Sequence, residues 1–136
     1  MRRVPWRVVV LALILAVSAG ACGNDDPVGP QNHNPVITSL TAFPNVIGRD
    51  DSVIVICTST DPDRDTLVYD WFTDGRLYVK GAPLYDHFLY QTYEPTRVFY
   101  PAYVDSPTDT AFVQCNTRDR RGGVSNYRSV RIIVRQ

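Results

Sequence analysis

The chain has 136 residues, the length of one small domain with a short extension. Basic and acidic side chains balance at 14 each, but Arg2, Arg3 and Arg7 fall within the first seven residues. The rest of the chain has a net charge near −3, which excludes a nucleic acid as partner, because its phosphates need clustered Lys and Arg. Strand-forming residues are abundant and no long stretch has helical periodicity, so an all-β domain is predicted.

The first 21 residues are predicted to be a signal peptide. Ten unbroken apolar residues, Val8 to Val17, follow a basic start. This run suits a signal peptide and is too short for a membrane span, which takes about 20 residues. Small residues, Ser18 to Ala21, lead directly into Cys22 and resemble a bacterial lipobox. The resemblance implies a diacylglyceryl anchor on Cys22; ordinary secretion, with cleavage after Ala19 or Ala21, is the alternative.

The cysteine count favours the lipid anchor. The chain has three cysteines, and an odd cysteine in an exported protein needs an explanation. Lipidation of Cys22 removes it and leaves an even pair, Cys57 and Cys115. Residues 22–33 offer almost nothing that a core would bury, so they are predicted to be a flexible tether. Gly23 follows the lipidated position, and by resemblance to Gram-negative lipoproteins this implies sorting to the outer membrane of the cell envelope.

From residue 34 to residue 136 the pattern changes to short alternating runs separated by turn residues. About seven such strands are typical of a two-sheet β-sandwich, which is predicted to occupy residues 34–136. Pro44 and Pro101 end two of the strands, because proline donates no hydrogen bond to a ladder. Three predicted strands are Val36 to Phe43, Ser52 to Thr58 and Arg97 to Tyr100. Three more are marked by residues that alternate inward: Leu67, Tyr69 and Trp71; Ala111, Val113 and Cys115; and Val130, Ile132 and Val134.

Three residues in this region resemble the core signature of immunoglobulin-like domains. Cys57 and Cys115 are separated by 58 positions, and Trp71 follows the first cysteine by 14. In immunoglobulin-like domains a disulfide between such cysteines bridges the sheets, and the indole packs on it. The resemblance therefore implies a Cys57–Cys115 disulfide with Trp71 against it.

Further motifs resemble bacterial PKD-type domains more specifically. They are Asn34-Pro35-Val36-Ile37, Thr60-Asp61-Pro62-Asp63, and Asp119 followed by Gly122-Gly123. The resemblance extends over residues 34–134, nearly the whole mature chain, and it implies a PKD-type, immunoglobulin-like sandwich. The family usually has Gly where Arg64 stands in this chain.

An acidic turn is the candidate metal site. Asp61, Asp63 and Asp65 alternate as oxygen ligands do in calcium loops. In a sandwich this turn shares one end with the start of the domain at Asn34 and with the turn near Asp119. Some PKD-type and cadherin-like domains are similar in gathering calcium ligands there. The five residues are thus candidate Ca²⁺ ligands, and an Asp-Pro-Asp turn without an ion is the alternative.

An aromatic connection is the candidate binding surface. Residues 78–103 contain eight of the 15 aromatic side chains, among them Tyr85, Phe88, Tyr90 and Tyr93. Tyrosine is enriched at interfaces because it gives a large contact area at low entropic cost. These rings are predicted either to form a binding face for protein or glycan or to cover an open edge of the sandwich.

No arrangement of residues points to catalysis. The sequence contains no nucleophile elbow, phosphate-binding glycine loop, metalloprotease motif or dinucleotide fingerprint. Its histidines, His33 and His87, stand far apart, and His33 lies in the tether. We therefore expect a non-catalytic, lipid-anchored envelope protein whose domain binds protein or glycan or acts as a spacer. The alternative is a calcium-stabilised structural stalk or assembly subunit of an envelope complex.

Overall fold

The computed structural model describes residues 29–82, 89–102 and 106–136. Within these ranges the chain forms strands and no helix, and hence no helix long and apolar enough to cross a membrane. The predicted signal peptide and Cys22 lie outside the described residues. The strands are β1 Val36–Phe43, β2 Val46–Gly48, β3 Val53–Thr60, β4 Val68–Thr73, β5 Leu77–Tyr78, β6 Tyr90–Thr92, β7 Thr96–Pro101, β8 Thr108–Arg118 and β9 Arg128–Arg135.

The strands form two sheets, which confirms the predicted all-β sandwich. One sheet has the order β1-β3-β7-β5, and the other has the order β2-β9-β8-β4-β6. Neighbouring strands are antiparallel, except that β2 runs parallel to β9. The sheets face each other around one apolar core, as in immunoglobulin-like domains.

Alternation along the strands builds the core. Val53 and Val55 on β3 face Val113 on β8, and all three side chains are fully buried. Two larger rings, Trp71 on β4 and Phe99 on β7, meet edge to face at a centroid distance of 6.1 Å. Complete burial of each such side chain contributes about 1.5–3 kcal/mol to folding. The inward faces predicted from the sequence are therefore those that hold the sheets together.

Three short strands were not predicted, so the described residues contain nine strands rather than about seven. They are β2, β5 and β6, each of two or three residues. Runs this short cannot display an alternating pattern, because alternation needs four or more residues to be recognised. Each one lies at an edge of its sheet and extends that sheet by a single strand.

The two cysteines of the predicted disulfide lie in the core. Cys57 on β3 and Cys115 on β8 are both buried, but the structure records both as free thiols. The two side chains do interact. A hydrogen bond with Cys57, together with burial, raises the pKa of the Cys115 thiol above its ordinary value. Trp71 lies directly opposite Cys115 in the ladder, so the signature residues take the expected positions without the bond.

Candidate functional site

The acidic turn between β3 and β4 is built on the side chain of Asp61. Its Oδ1 accepts hydrogen bonds from the backbone N–H groups of Asp63 at 2.8 Å and Asp65 at 3.2 Å. The Arg64 N–H donates to the Asp61 carbonyl at 3.1 Å. Arg64 has a φ of 63°, in the left-handed region that favours glycine. The turn thus forms with an arginine in a backbone conformation that glycine adopts most readily.

The three aspartates of this turn bring their carboxylates together. One oxygen from each of Asp61, Asp63 and Asp65 lies within 4.8 Å of the other two. The Oδ2 atoms of Asp61 and Asp65 are buried and accept no hydrogen bond. Arg121 Nη1 lies 3.7 Å from Asp65 Oδ2, beyond hydrogen-bonding distance. Buried oxygens without donors are costly unless an ion or water satisfies them, so the turn fits a hard cation such as Ca²⁺.

Asp63 is bound by the segment that enters the domain. Its carboxylate accepts a hydrogen bond of 2.6 Å from the His33 N–H, and its other oxygen lies 2.9 Å from His33 Nδ1. These contacts lower the pKa of Asp63 below its ordinary value. Asp63 is therefore a carboxylate at neutral pH and ties residue 33 to the acidic turn.

Asp119 organises the neighbouring turn between β8 and β9. Its Oδ1 accepts hydrogen bonds from the N–H groups of Arg121 at 2.7 Å and Gly123 at 2.8 Å, and its Oδ2 accepts one from Asn32 at 2.9 Å. Burial alone raises the pKa of Asp119, but these donors outweigh it and lower the pKa. A Cβ at residue 123 would lie 2.2 Å from Asp119 Oδ2, so this position requires glycine.

The five predicted calcium ligands therefore divide into two groups. Asp61, Asp63 and Asp65 gather as a cluster, but Asp119 does not belong to the acidic group within 4.8 Å. Asn34 accepts a hydrogen bond of 3.3 Å from the Val124 N–H and so holds the β8–β9 turn. Asn34 and Asp119 thus connect the entering chain and the β8–β9 turn beside the acidic cluster.

The contacts of Asn32 and His33 were missed by the sequence analysis. Both residues were assigned to the flexible tether, yet Asn32 binds Asp119 and His33 binds Asp63. Arg121 also donates to the backbone carbonyl of Pro30. The chain is therefore attached to the domain before the predicted boundary at residue 34. The only signal in the sequence is the polar pair Asn32 and His33 shortly before the first strand. A polar pair does not identify which loop it contacts.

Of the predicted aromatic surface, the structure describes one buried ring and one exposed ring. Tyr90 on β6 is 6% exposed and packs edge to face on Phe99 at 6.3 Å, so its assignment to a binding face is wrong. Tyr93 is 63% exposed, with the Arg120 guanidinium 5.9 Å from its ring centroid. The two exposures differ because Tyr90 lies in strand β6, which pairs with β4, whereas Tyr93 lies in the turn after β6. The other two residues of the predicted surface, Tyr85 and Phe88, lie outside the described residues.

Comparisons with known proteins agree with this geometry at the level of the fold. No family model and no curated protein matches the chain. Among solved structures, the PKD domain of an M14-like peptidase from a Thermoplasmatales archaeon superposes with a TM-score of 0.54. The match covers 78% of this chain and 100% of that domain at 14% identity. The sandwich has a PKD-type fold. At this identity the likeness establishes the fold alone.

Within the sandwich, the acidic cluster lies where the chain enters the domain. Asn32 and His33 come directly before β1, and they contact the loops that follow β8 and β3. The three loops expected to share one end therefore do so. An ion bound by the acidic turn would be next to His33, the residue that ties the entering chain to that turn.

Proposed function

We propose that the chain is a non-catalytic, lipid-anchored protein of the bacterial cell envelope whose PKD-type domain acts as a binding or spacer module. The observation that carries the proposal is a patch of large apolar side chains exposed on the outer face of the four-stranded sheet. Monomeric domains rarely keep contiguous apolar surface without a use for it. Phe43 on β1 is paired with Ile54 on β3, Ile56 follows on the same face of β3, and all three are exposed, so they form one apolar patch.

The sequence before the domain supports the lipid anchor. Small residues lead directly into Cys22, and lipidation explains the odd cysteine. Two or more acyl chains hold a protein stably on a membrane, since each buried methylene contributes about 0.8 kcal/mol. Gly23 after the lipidated position favours the outer membrane. The partner of such a module would be an envelope protein or a glycan.

Replacing Cys22 by Ser should move the protein from the membrane fraction to the soluble fraction. The thiol is the only group at that position able to form the thioether to the lipid. Fractionation, together with labelled fatty-acid incorporation, measures the change. A Cys22→Ser chain that stays in the membrane fraction with unchanged mobility would contradict the anchor.

A second candidate function is a calcium-stabilised stalk, and the buried oxygens of Asp61 and Asp65 favour it. These two residues and Asp63 would hold the ion, which supplies positive charge to three converging carboxylates. Asp63 also binds His33, so a bound ion would stiffen the junction between tether and domain. A stiff junction suits a structural or assembly subunit, which positions other components.

Calcium should raise the melting temperature of the full chain if this second candidate is right. Binding at 100 times the dissociation constant stabilises the folded state by about 2.7 kcal/mol, a shift on the order of 10 °C for a domain of this size. Asp65→Asn should remove most of the shift, because it deletes one charge of the cluster while keeping the shape. Asp50→Asn, at an exposed position in the β2–β3 turn, is the matched control. Superimposable melting curves with calcium and with chelator would contradict calcium binding.

We further propose that Cys57 and Cys115 form a disulfide in the oxidising environment of the envelope. The two thiols are buried on facing sheets, and their side chains interact across the core. A structural cross-link would suit either function, because both depend on a rigid sandwich.

A further inference from the structure

The outer face of the five-stranded sheet combines exposed rings with polar side chains. Two rows cross it. Arg131 on β9 lies opposite Phe112 on β8, and the next row consists of Ser129, Gln114 and Phe72 on β9, β8 and β4. Directly paired residues point to the same side of a sheet, so all five side chains project from one surface.

This surface forms a shallow groove rather than a flat sheet. The groove has a volume of about 390 Å³, and it lies between Phe72 and Phe112 with Gln114 and Ser129 in its lining. Phe112 is 42% exposed. Tyr127, which is 59% exposed, leans against Phe72 at a centroid distance of 5.5 Å and an interplanar angle of 60°. The rings thus offer accessible faces and edges to a ligand. We refer to the lining residues Phe72, Phe112 and Gln114, together with the flanking Tyr127 and Arg131, as the aromatic groove.

A buried polar side chain lies in the next row beyond the groove. Asn116 follows Gln114 on the same face of β8 and is 3% exposed, and its Oδ1 accepts no hydrogen bond. Asp70, its partner in the ladder, is fully engaged by Arg118, whose Nε and Nη2 donate at 2.5 and 2.9 Å. Asn116 therefore leaves a hydrogen-bond acceptor unused beside the aromatic groove.

The electrostatics of the groove favour an anion. Arg76 lies between two carboxylates at the rim, 3.1 Å from Asp74 Oδ2 and 3.1 Å from Asp109 Oδ2, so these three residues together carry one negative charge. Arg131 forms no ion pair with any residue in the part of the chain that the structure describes, and the same holds for Arg135 on the same face of β9. Arg131 and Arg135 outweigh the single negative charge left on the Asp74, Arg76 and Asp109 group, so this face is positive by one charge although the chain after residue 7 is acidic overall. Their charge would complement a carboxylate, which guanidinium groups bind bidentately.

We propose that the aromatic groove binds a segment of an acidic polysaccharide. The exposed rings of Phe112 and Tyr127 would pack on the C–H faces of sugar rings, Gln114 would hydrogen-bond their hydroxyl groups, and Arg131 would pair with a carboxylate. An acidic peptide would pair with Arg131. It would make fewer contacts with the Gln114 amide and with the rings of Phe112 and Tyr127. The inference rests on the proposed binding role and names its ligand class.

The test is calorimetric titration of the full chain, purified in detergent, with a hexamer of galacturonic acid. Its fully methyl-esterified form has the same sugar backbone without the charge, and hexaglutamate has the charge without the sugars. We expect saturable binding of the acid hexamer, and binding weaker by about tenfold or more for each of the other two probes, since each lacks one kind of contact. Arg131→Gln and Phe112→Ala should each weaken binding of the acid hexamer by about tenfold.

Arg49→Gln is the matched control, because it removes one exposed positive charge from the β2–β3 turn and should leave the affinity unchanged. All variants should melt within a few degrees of the parent chain, since the substituted side chains lie on the surface. Equal binding of the acid and esterified hexamers, equal or tighter binding of hexaglutamate, or no binding of any probe would overturn the proposal. In each of those cases, fractionation would still show whether the parent chain is anchored to the membrane. Failure of the groove proposal can therefore be distinguished from failure of the proposed function.

Discussion

Oxidation of Cys57 and Cys115 to a disulfide should raise the free energy of unfolding by roughly 4 kcal/mol. The two cysteines are separated by 58 positions, and a cross-link over such a loop removes much of the conformational freedom of the unfolded chain. A gain of this size is a large share of the 5–15 kcal/mol that typically stabilises a folded domain. Both thiols lie in the core, on strands of facing sheets.

The measurement is denaturant unfolding of the oxidised and reduced forms in a Cys22→Ser background, in which only this cysteine pair remains. Non-reducing peptide mapping of protein purified from the envelope shows whether the pair forms in the cell. Cys57→Ala together with Cys115→Ala provides a chain that cannot respond to reductant. Free thiols at both positions in the envelope protein, or equal stability with and without reductant, would contradict the prediction.

Much of the sandwich could be predicted from the sequence, because its long strands alternate cleanly. Val53, Val55 and Cys57 repeat every second residue, and so do Val113 and Cys115, which fixes the buried face of each strand. The short edge strands escaped prediction for the opposite reason. A strand of two residues such as β5 has no periodicity, and only its pairing with β7 defines it.

The candidate metal site was predictable in part. The alternation of Asp61, Asp63 and Asp65 identified the acidic cluster, because alternating oxygen ligands are typical of calcium loops. The contacts of Asn32 and His33 were not predictable, since they depend on how the entering chain meets loops about 30 and 90 positions away. Long-range contacts of this kind leave no local pattern in a sequence.

Aromatic composition alone could not separate surface from core. Tyr90 and Tyr93 are three positions apart and chemically identical, yet one is buried and the other exposed. The difference arises because Tyr90 belongs to strand β6, which pairs with β4, whereas Tyr93 lies in the turn after it. The aromatic groove was missed for a related reason. Its members come from three strands and a loop, and only sheet pairing brings them together.

Truncation of Tyr90 to Ala should therefore destabilise the domain strongly, whereas truncation of Tyr93 should not. Removing a buried aromatic ring costs about 3–5 kcal/mol, because it loses apolar contacts and leaves a cavity. Tyr90 lies opposite Trp71 in the ladder and packs against Phe99, so the loss would be felt in the centre of the core. For a domain of this size the melting temperature should fall on the order of 15 °C.

Tyr93→Ala is the matched control, since it removes the same side chain from the same segment. Its main contact is the Arg120 guanidinium, and an exposed cation–π contact contributes only about 0.5–1 kcal/mol. Thermal melting of both variants separates the two roles within one experiment. A similar small shift for both would mean that Tyr90 lies at the surface and could belong to a binding face. A large drop confined to Tyr90→Ala means that this ring closes the edge of the sandwich, and that the exposed rings elsewhere on the domain are the ones free to meet a ligand.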